Sequence, residues 1–173
     1  MTSTNNQIFK GRIKTPLGDM VVCSTAKGIC LLEFADNPRL EPELAELESK
    51  LKSEIVESKN QHIDLCEIEL TQYFSGERTD FSVPLDLVGT EFQKRVWNQL
   101  LEVPHGETWT YQSQANKYGN LKAIRAIASA NGKNKVSILV PCHRVVGSSG
   151  SLTGYSGGIE RKRKLLQHEG LNV

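Results

Sequence analysis

Val136-Ser137-Ile138-Leu139-Val140-Pro141-Cys142-His143-Arg144-Val145 runs into the turn Gly147-Ser148-Ser149-Gly150. The five apolar-run residues 136–140 read as a buried strand, with the cysteine at its end. A base and a cation follow that cysteine directly, and such surroundings convert a thiol into the nucleophilic thiolate. A free cysteine taken alone is more often a small buried hydrophobe. The decision therefore rests on what surrounds the stretch.

Upstream, Thr90 caps a helix that carries Phe92, Val96, Trp97, Leu100 and Leu101 and ends at Pro104-His105-Gly106. Thr110 caps a short second helix to about Lys117, Gly119-Asn120 breaks it, and a third helix covers Leu121–Ala130. Two short helices across a glycine turn suggest a helix-turn-helix or a plain helical hairpin. Downstream, a last helix over about Gly158–His168 carries Arg161-Lys162-Arg163-Lys164, a run that reads as a solvated face sooner than as a binding site.

The first half differs. Gln7–Lys14, Asp19–Thr25 and Ile29–Ala35 read as strands joined by Pro16-Leu17-Gly18-Asp19 and by Ala26-Lys27-Gly28. Leu40, Leu44, Leu47, Leu51 and Ile55 recur at helical spacing and predict one amphipathic helix. A shorter helix is expected over about Asp64–Phe74 with its stop at Gly76, then a strand at Phe81-Ser82-Val83 and a linker over 84–89. The expected organisation is an α+β chain with domains at 1–83 and 90–173.

Composition bounds the class. With 38% apolar and 24% charged residues among 173, the chain is that of a globular protein. No apolar stretch approaches the roughly 20 residues that cross a bilayer, and residues 1–6 lack the marks of a signal peptide. No membrane partner and a cytoplasmic location are expected, with reduced thiols at Cys23, Cys30, Cys66 and Cys142. The net charge of +1 hides a division: residues 1–83 hold 9 basic against 14 acidic side chains, and 84–173 hold 12 against 6. An excess of +6 in the second half suits an anionic partner, nucleic acid first.

Pro141-Cys142-His143-Arg144-Val145 resembles the active-site motif of the O6-alkylguanine-DNA alkyltransferases. Phe92–Trp97, Gly106-Glu107, Thr110-Tyr111, Arg125-Ala126, Asn131-Gly132, Asn134, 154–158 and His168-Glu169-Gly170 follow in that family's order and spacing. The resemblance is strong over 85–171 and architectural before that. It implies a ribonuclease H-like N-terminal α/β domain and a winged-helix-like C-terminal domain with a helix-turn-helix. It also implies irreversible, single-turnover alkyl transfer from O6-alkylguanine, and less well O4-alkylthymine, in duplex DNA to Cys142.

The roles implied by the resemblance follow residue by residue. His143, through a bridging water, deprotonates Cys142, Glu169 orients the imidazole, and Asn134 belongs to the same network, by the logic of a hydrolase triad. Tyr111 protonates the departing guanine. Arg125 fills the space of the flipped base, while small residues including Ala123 and Ala126 let the helix approach the minor groove. Gln112, Asn120 and Ser148 match DNA contacts. Tyr155, Ser156, Val145 and Asn131 match the base pocket, with the carbonyls of Cys142 and Val145 accepting from the guanine amino group.

Lys135 and Ser137 stand where some relatives carry proline. Cys23, Cys30, His62 and Cys66 do not reproduce the zinc pattern of certain relatives, so no metal and no cofactor are expected. A monomer is expected, with cooperative binding on DNA left open. A lesion-binding relative without transfer is disfavoured by Cys142 itself. A transcription regulator of this family would need a further cysteine-rich module. A cysteine hydrolase would turn over repeatedly.

Overall fold

The computed structural model describes residues 7–173. They divide into two compact units, with the break between Val88 and Gly89.

In the first unit, β1 (Ile8–Thr15), β2 (Gly18–Ser24) and β3 (Ile29–Phe34) form an antiparallel meander. The short β4 (Ile55–Val56) adds in parallel to β1, giving the order β3-β2-β1-β4. Every residue of β3, and β2 from Met20 on, is buried, because helices cover both faces. α1 (Leu40–Leu51) sets Leu40, Leu44 and Leu47 against Ile8, Val21 and Cys23. Successive strand residues point to opposite faces, and on the other face Gly11 lies under α2 (Gln61–Ser75), where a Cβ would sit 3.5 Å from Ile63 Cγ2. Cys23 and Cys30 are therefore core residues, and burial raises the Cys23 and Cys66 thiols to about 12.

Three expectations for this unit are corrected. The helix does not run to Ile55: it stops at Leu51, where Lys52 turns left-handed (φ 52°). The Glu48 carboxylate then accepts the Ile55 N–H at 3.0 Å, and Ile55 joins the sheet instead. α2 begins at Gln61, earlier than expected, because the Asn60 side chain caps it by accepting from Ile63 N–H. Phe81-Ser82-Val83 is no strand, since the buried Glu69 carboxylate takes the Ser82 and Val83 N–H groups at 2.9 and 3.0 Å. The expected linker is also mostly bound. Ile29 N–H donates to Pro84 O and Asp86 N–H to Ile29 O, each at 2.8 Å. Gly28 permits this approach, as a Cβ there would lie 2.4 Å from Pro84 O.

The second unit holds α3 (Glu91–Leu100), β5 (Trp109–Thr110), α4 (Tyr111–Tyr118), α5 (Ile124–Gly132), β6 (Val145–Val146) and α6 (Ile159–His168). Thr90 and Gln93 close a capping box on α3, and Thr110 with Ser113 does the same on α4. Trp97 Nε1 donates 2.8 Å to Ala130 O, fastening α3 to α5 in the core. Gly119, left-handed at φ 100°, ends α4 and makes the turn of the helix-turn-helix. The second helix is not continuous from Leu121, because a 3₁₀ turn at Leu121–Ala123, capped by Asn120, leads into α5. β5 and β6 pair in parallel.

The apolar run 136–140 is not a strand. It is a buried turn in which Val140 N–H returns to Val136 O at 3.0 Å and Ile138 is left-handed (φ 73°). Asn134 imposes that shape. Its Oδ1 accepts from Val136 N–H at 2.9 Å, and its Nδ2 reaches Val140 O at 2.9 Å.

Candidate active site and nucleic-acid interface

The buried turn delivers Cys142 to the first position of a 3₁₀ turn, Cys142–Arg144, where the cysteine is partly exposed. Asn134 Nδ2 donates to Cys142 Sγ at 3.3 Å, so the residue that shapes the turn also holds the sulfur. The next two side chains point inward. His143 is fully buried with Nε2 2.9 Å from Glu169 Oε2. A carboxylate only accepts hydrogen bonds, so Nε2 carries the proton and Nδ1 presents its lone pair. Nδ1 is buried, with no hydrogen-bonding partner among the described residues.

Glu169 follows α6 directly and takes two further bonds, from Arg144 Nε to Oε1 at 2.8 Å and from Arg144 Nη2 to Oε2 at 2.9 Å. Burial opposes its ionisation. Hydrogen bonds from His143 and Arg144, with the guanidinium charge, outweigh it and hold the carboxyl below the usual range. Burial pushes the His143 pKa down, against Glu169, which favours protonation. The resting arrangement is therefore an ionised Glu169, paired to Arg144, beside a neutral imidazole.

Lys162 is the second buried cation of the site. Its Nζ donates to Val145 O at 2.6 Å and Thr153 O at 2.7 Å, tying the strand after the cysteine to the loop before α6. Burial lowers its pKa to about 8. Tyr111 opens α4 and donates its O–H to Thr153 O at 3.1 Å, and burial raises its pKa, with the nearby Cys142 adding to that rise.

Of the residues expected from sequence, Asn134 with Cys142 and His143 with Glu169 form two hydrogen-bonded pairs, joined by the Cys142–His143 peptide bond. Tyr111, Gln112 and Ser148 line one surface groove with Leu121 and Ile124. Arg125 and Ala126 are exposed on α5, and Ala123 is half-buried on the preceding turn. Asn120 faces solvent but commits its Oδ1 to Lys122 N–H at 3.0 Å, so its first duty is capping. Val145 and Tyr155 are buried and Ser156 is half-buried.

Asn131, expected in the base pocket, is buried on α5. Its amide exchanges two buried hydrogen bonds with Gln114, at 2.7 and 2.9 Å, and bolts α4 to α5. Lys162 was missed. The basic run hid it, although it lies three and four residues before the buried Leu165 and Leu166 and so shares their face.

Residues 91–171 match the family described as 6-O-methylguanine DNA methyltransferase, DNA binding domain, and 8–87 match its ribonuclease-like domain. The methylated-DNA–protein-cysteine methyltransferase of Mycobacterium bovis is 56% identical over 101 residues, 58% of this chain and 61% of that protein. The chain thus matches about three fifths of that relative's length. The inducible enzyme of Bacillus subtilis is 39% identical over 86% of this chain and 82% of its own. Among solved structures, the O6-methylguanine methyltransferase of Mycobacterium tuberculosis superposes with a TM-score of 0.79 at 39% identity, over 94% of this chain and 93% of that one. A Mycobacterium tuberculosis OGT in complex with DNA does so with a TM-score of 0.77 at 38% identity, over 94% and 92%. These likenesses span both units, and the chain belongs to the methylated-DNA–protein-cysteine methyltransferase family.

Proposed function

We propose that the protein repairs alkylated duplex DNA by moving the alkyl group from O6 of guanine, and less well from O4 of thymine, to Cys142 Sγ in a single turnover. The observation that carries this reading is the Cys142 thiol held by Asn134 beside a buried His143–Glu169–Arg144 network whose Nδ1 is unengaged. Nδ1 takes the thiol proton through one bridging water, and the thiolate attacks the alkyl carbon. The S–C bond forms as the C–O bond breaks, and guanine leaves as the Tyr111 O–H gives it a proton. The imidazolium then reprotonates the tyrosine, so the net balance is one proton lost by the thiol and one gained by guanine. The thioether has no route back, and the protein is consumed.

Reaching the atom requires the nucleotide to leave the stack. Arg125 fills the vacated space from α5, with Ala123 and Ala126 allowing close approach and Gln112, Asn120 and Ser148 meeting the backbone. Val145, Tyr155 and Ser156 wall the base. The DNA complex of the mycobacterial relative supports this reading. No helix among the described residues is long and apolar enough to cross a membrane. The protein is taken to act as a cytoplasmic monomer.

The test is duplex DNA carrying labelled O6-methylguanine, followed by peptide mass spectrometry. One label per protein on Cys142 is expected. Binding without transfer would replace the reading with lesion recognition, and repeated turnover would end the suicide mechanism.

A further inference from the structure

We infer that Arg144 is a positioning residue of the transfer site: by gripping both oxygens of Glu169 it compensates that carboxylate and keeps His143 the neutral base. The inference rests on the reading that His143 accepts the Cys142 proton.

Glu169 stands where a negative charge is least welcome. It is buried, and it occupies the C-cap of α6, where the last helical carbonyls already present negative partial charge. An uncompensated carboxylate there would recruit the nearest proton carrier, which is the His143 imidazole 2.9 Å away. Once both ring nitrogens are protonated, Nδ1 has no lone pair and cannot take a proton from sulfur.

Arg144 removes that outcome by geometry and charge. Its Nε and Nη2 meet the two carboxylate oxygens as a fork, at 2.8 and 2.9 Å, and Nη1 is anchored to Val103 O at 2.7 Å. A guanidinium stays charged across the working pH range, so the Arg144–Glu169 pair is neutral as a unit beside His143. The groups acting on the imidazole are Lys162 from α6, Glu169 at its C-cap and Arg144 from its own turn; Cys142 precedes it in the chain. Burial is the first opponent of the protonated ring; Glu169 favours it, and Arg144, with Lys162, offsets that carboxylate. The fork also leaves Oε2 aligned with Nε2, which fixes the tautomer that exposes Nδ1. A lysine would supply the charge but could not span both oxygens.

The test is histidine-selective ¹⁵N NMR of the full chain bearing Cys142→Ser, so that the thiol does not titrate. In this parent His143 is expected to be neutral at pH 7 with its proton on Nε2. Adding Arg144→Met should raise its titration midpoint by about 1–3 pH units. Arg144→Lys should restore most of the lower midpoint, and Arg144→Met with Glu169→Gln should return it fully. An unchanged midpoint in folded Arg144→Met overturns the inference. So does an imidazolium at pH 7 in the parent, a result that needs no variant of Arg144 to fold. The DNA labelling test fails or succeeds separately, because it reads Cys142 alkylation and not the imidazole.

Discussion

His143 Nε2 and Glu169 Oε2 are 2.9 Å apart with both side chains sealed from solvent. Burial lowers the histidine pKa, and the paired cation lowers that of the glutamate. Both shifts mean that the unfolded chain binds more protons than the folded one at acid pH. Stability therefore rises with pH through the two windows. It is lost first as pH falls through the ordinary histidine value near ~6.5, and again through the ordinary glutamate value near ~4.3. Thermal melts from pH 7.5 to about 2 should descend in these steps, and His143→Phe should abolish the first. Transfer should also persist below pH ~6.5, since the base stays neutral there. A rate that falls in step with a normal histidine would contradict this.

Asn134 meets Val136, Val140 and Cys142 at once. Asn134→Ala leaves buried backbone groups of the turn without partners, at a cost of about 1–3 kcal/mol. Because the turn carries the cysteine, the transfer rate should fall further than the melting temperature suggests. Equal transfer rates at matched folded fraction would reduce Asn134 to a purely structural residue.

Much of this was legible in the chain because the signals are local. Thr90 and Thr110 announce their helices through side-chain caps, and the leucine spacing of α1 predicts its buried face. What sequence pattern missed depended on contacts distant along the chain. The run 136–140 has the composition of a strand, yet Asn134 bends it into a turn. Ile55 continues the helical spacing, but pairing with Ile8 drew it into the sheet. The Cys142–His143 adjacency was readable, whereas the Arg144 fork exists only because α6 brings Glu169 back from 25 residues away.

Lys162 holds Val145 O and Thr153 O. Lys162→Met keeps the aliphatic stem and strands two carbonyls, so a loss of about 1–3 kcal/mol in urea unfolding is expected. Freed from the strand, the 153 loop should also exchange its amide hydrogens faster. Unchanged exchange there would mean that the lysine does not tie the loop.

In the first unit, buried Glu33 hydrogen-bonds to Glu43, and burial raises its pKa. The folded state then holds a proton that the unfolded chain has released above pH ~4.3. Stability from this group is present below that value and declines as pH rises through the folded pKa. Glu33→Gln keeps a donor toward Glu43 without the titration. It should melt higher than the parent at pH 8, and the difference should shrink towards pH 5. A difference independent of pH would exclude the shared proton.

Arg125 is exposed on α5, on the helix that follows the Gly119 turn. If it fills the gap left by a flipped nucleotide, its worth is the stacking and pairing energy that flipping costs, a few kcal/mol. Arg125→Ala should then slow repair of duplex DNA by roughly 10- to 100-fold. Reaction with free O6-alkylguanine base, which needs no flipping, should be nearly unaffected. The exposed Lys122 on the preceding turn offers a contrast. As a phosphate contact, its loss should lower the slope of log affinity against log salt by about 1, evenly across sequences. Equal losses on duplex and free base for Arg125→Ala would remove the residue from the gap and return it to the phosphate backbone.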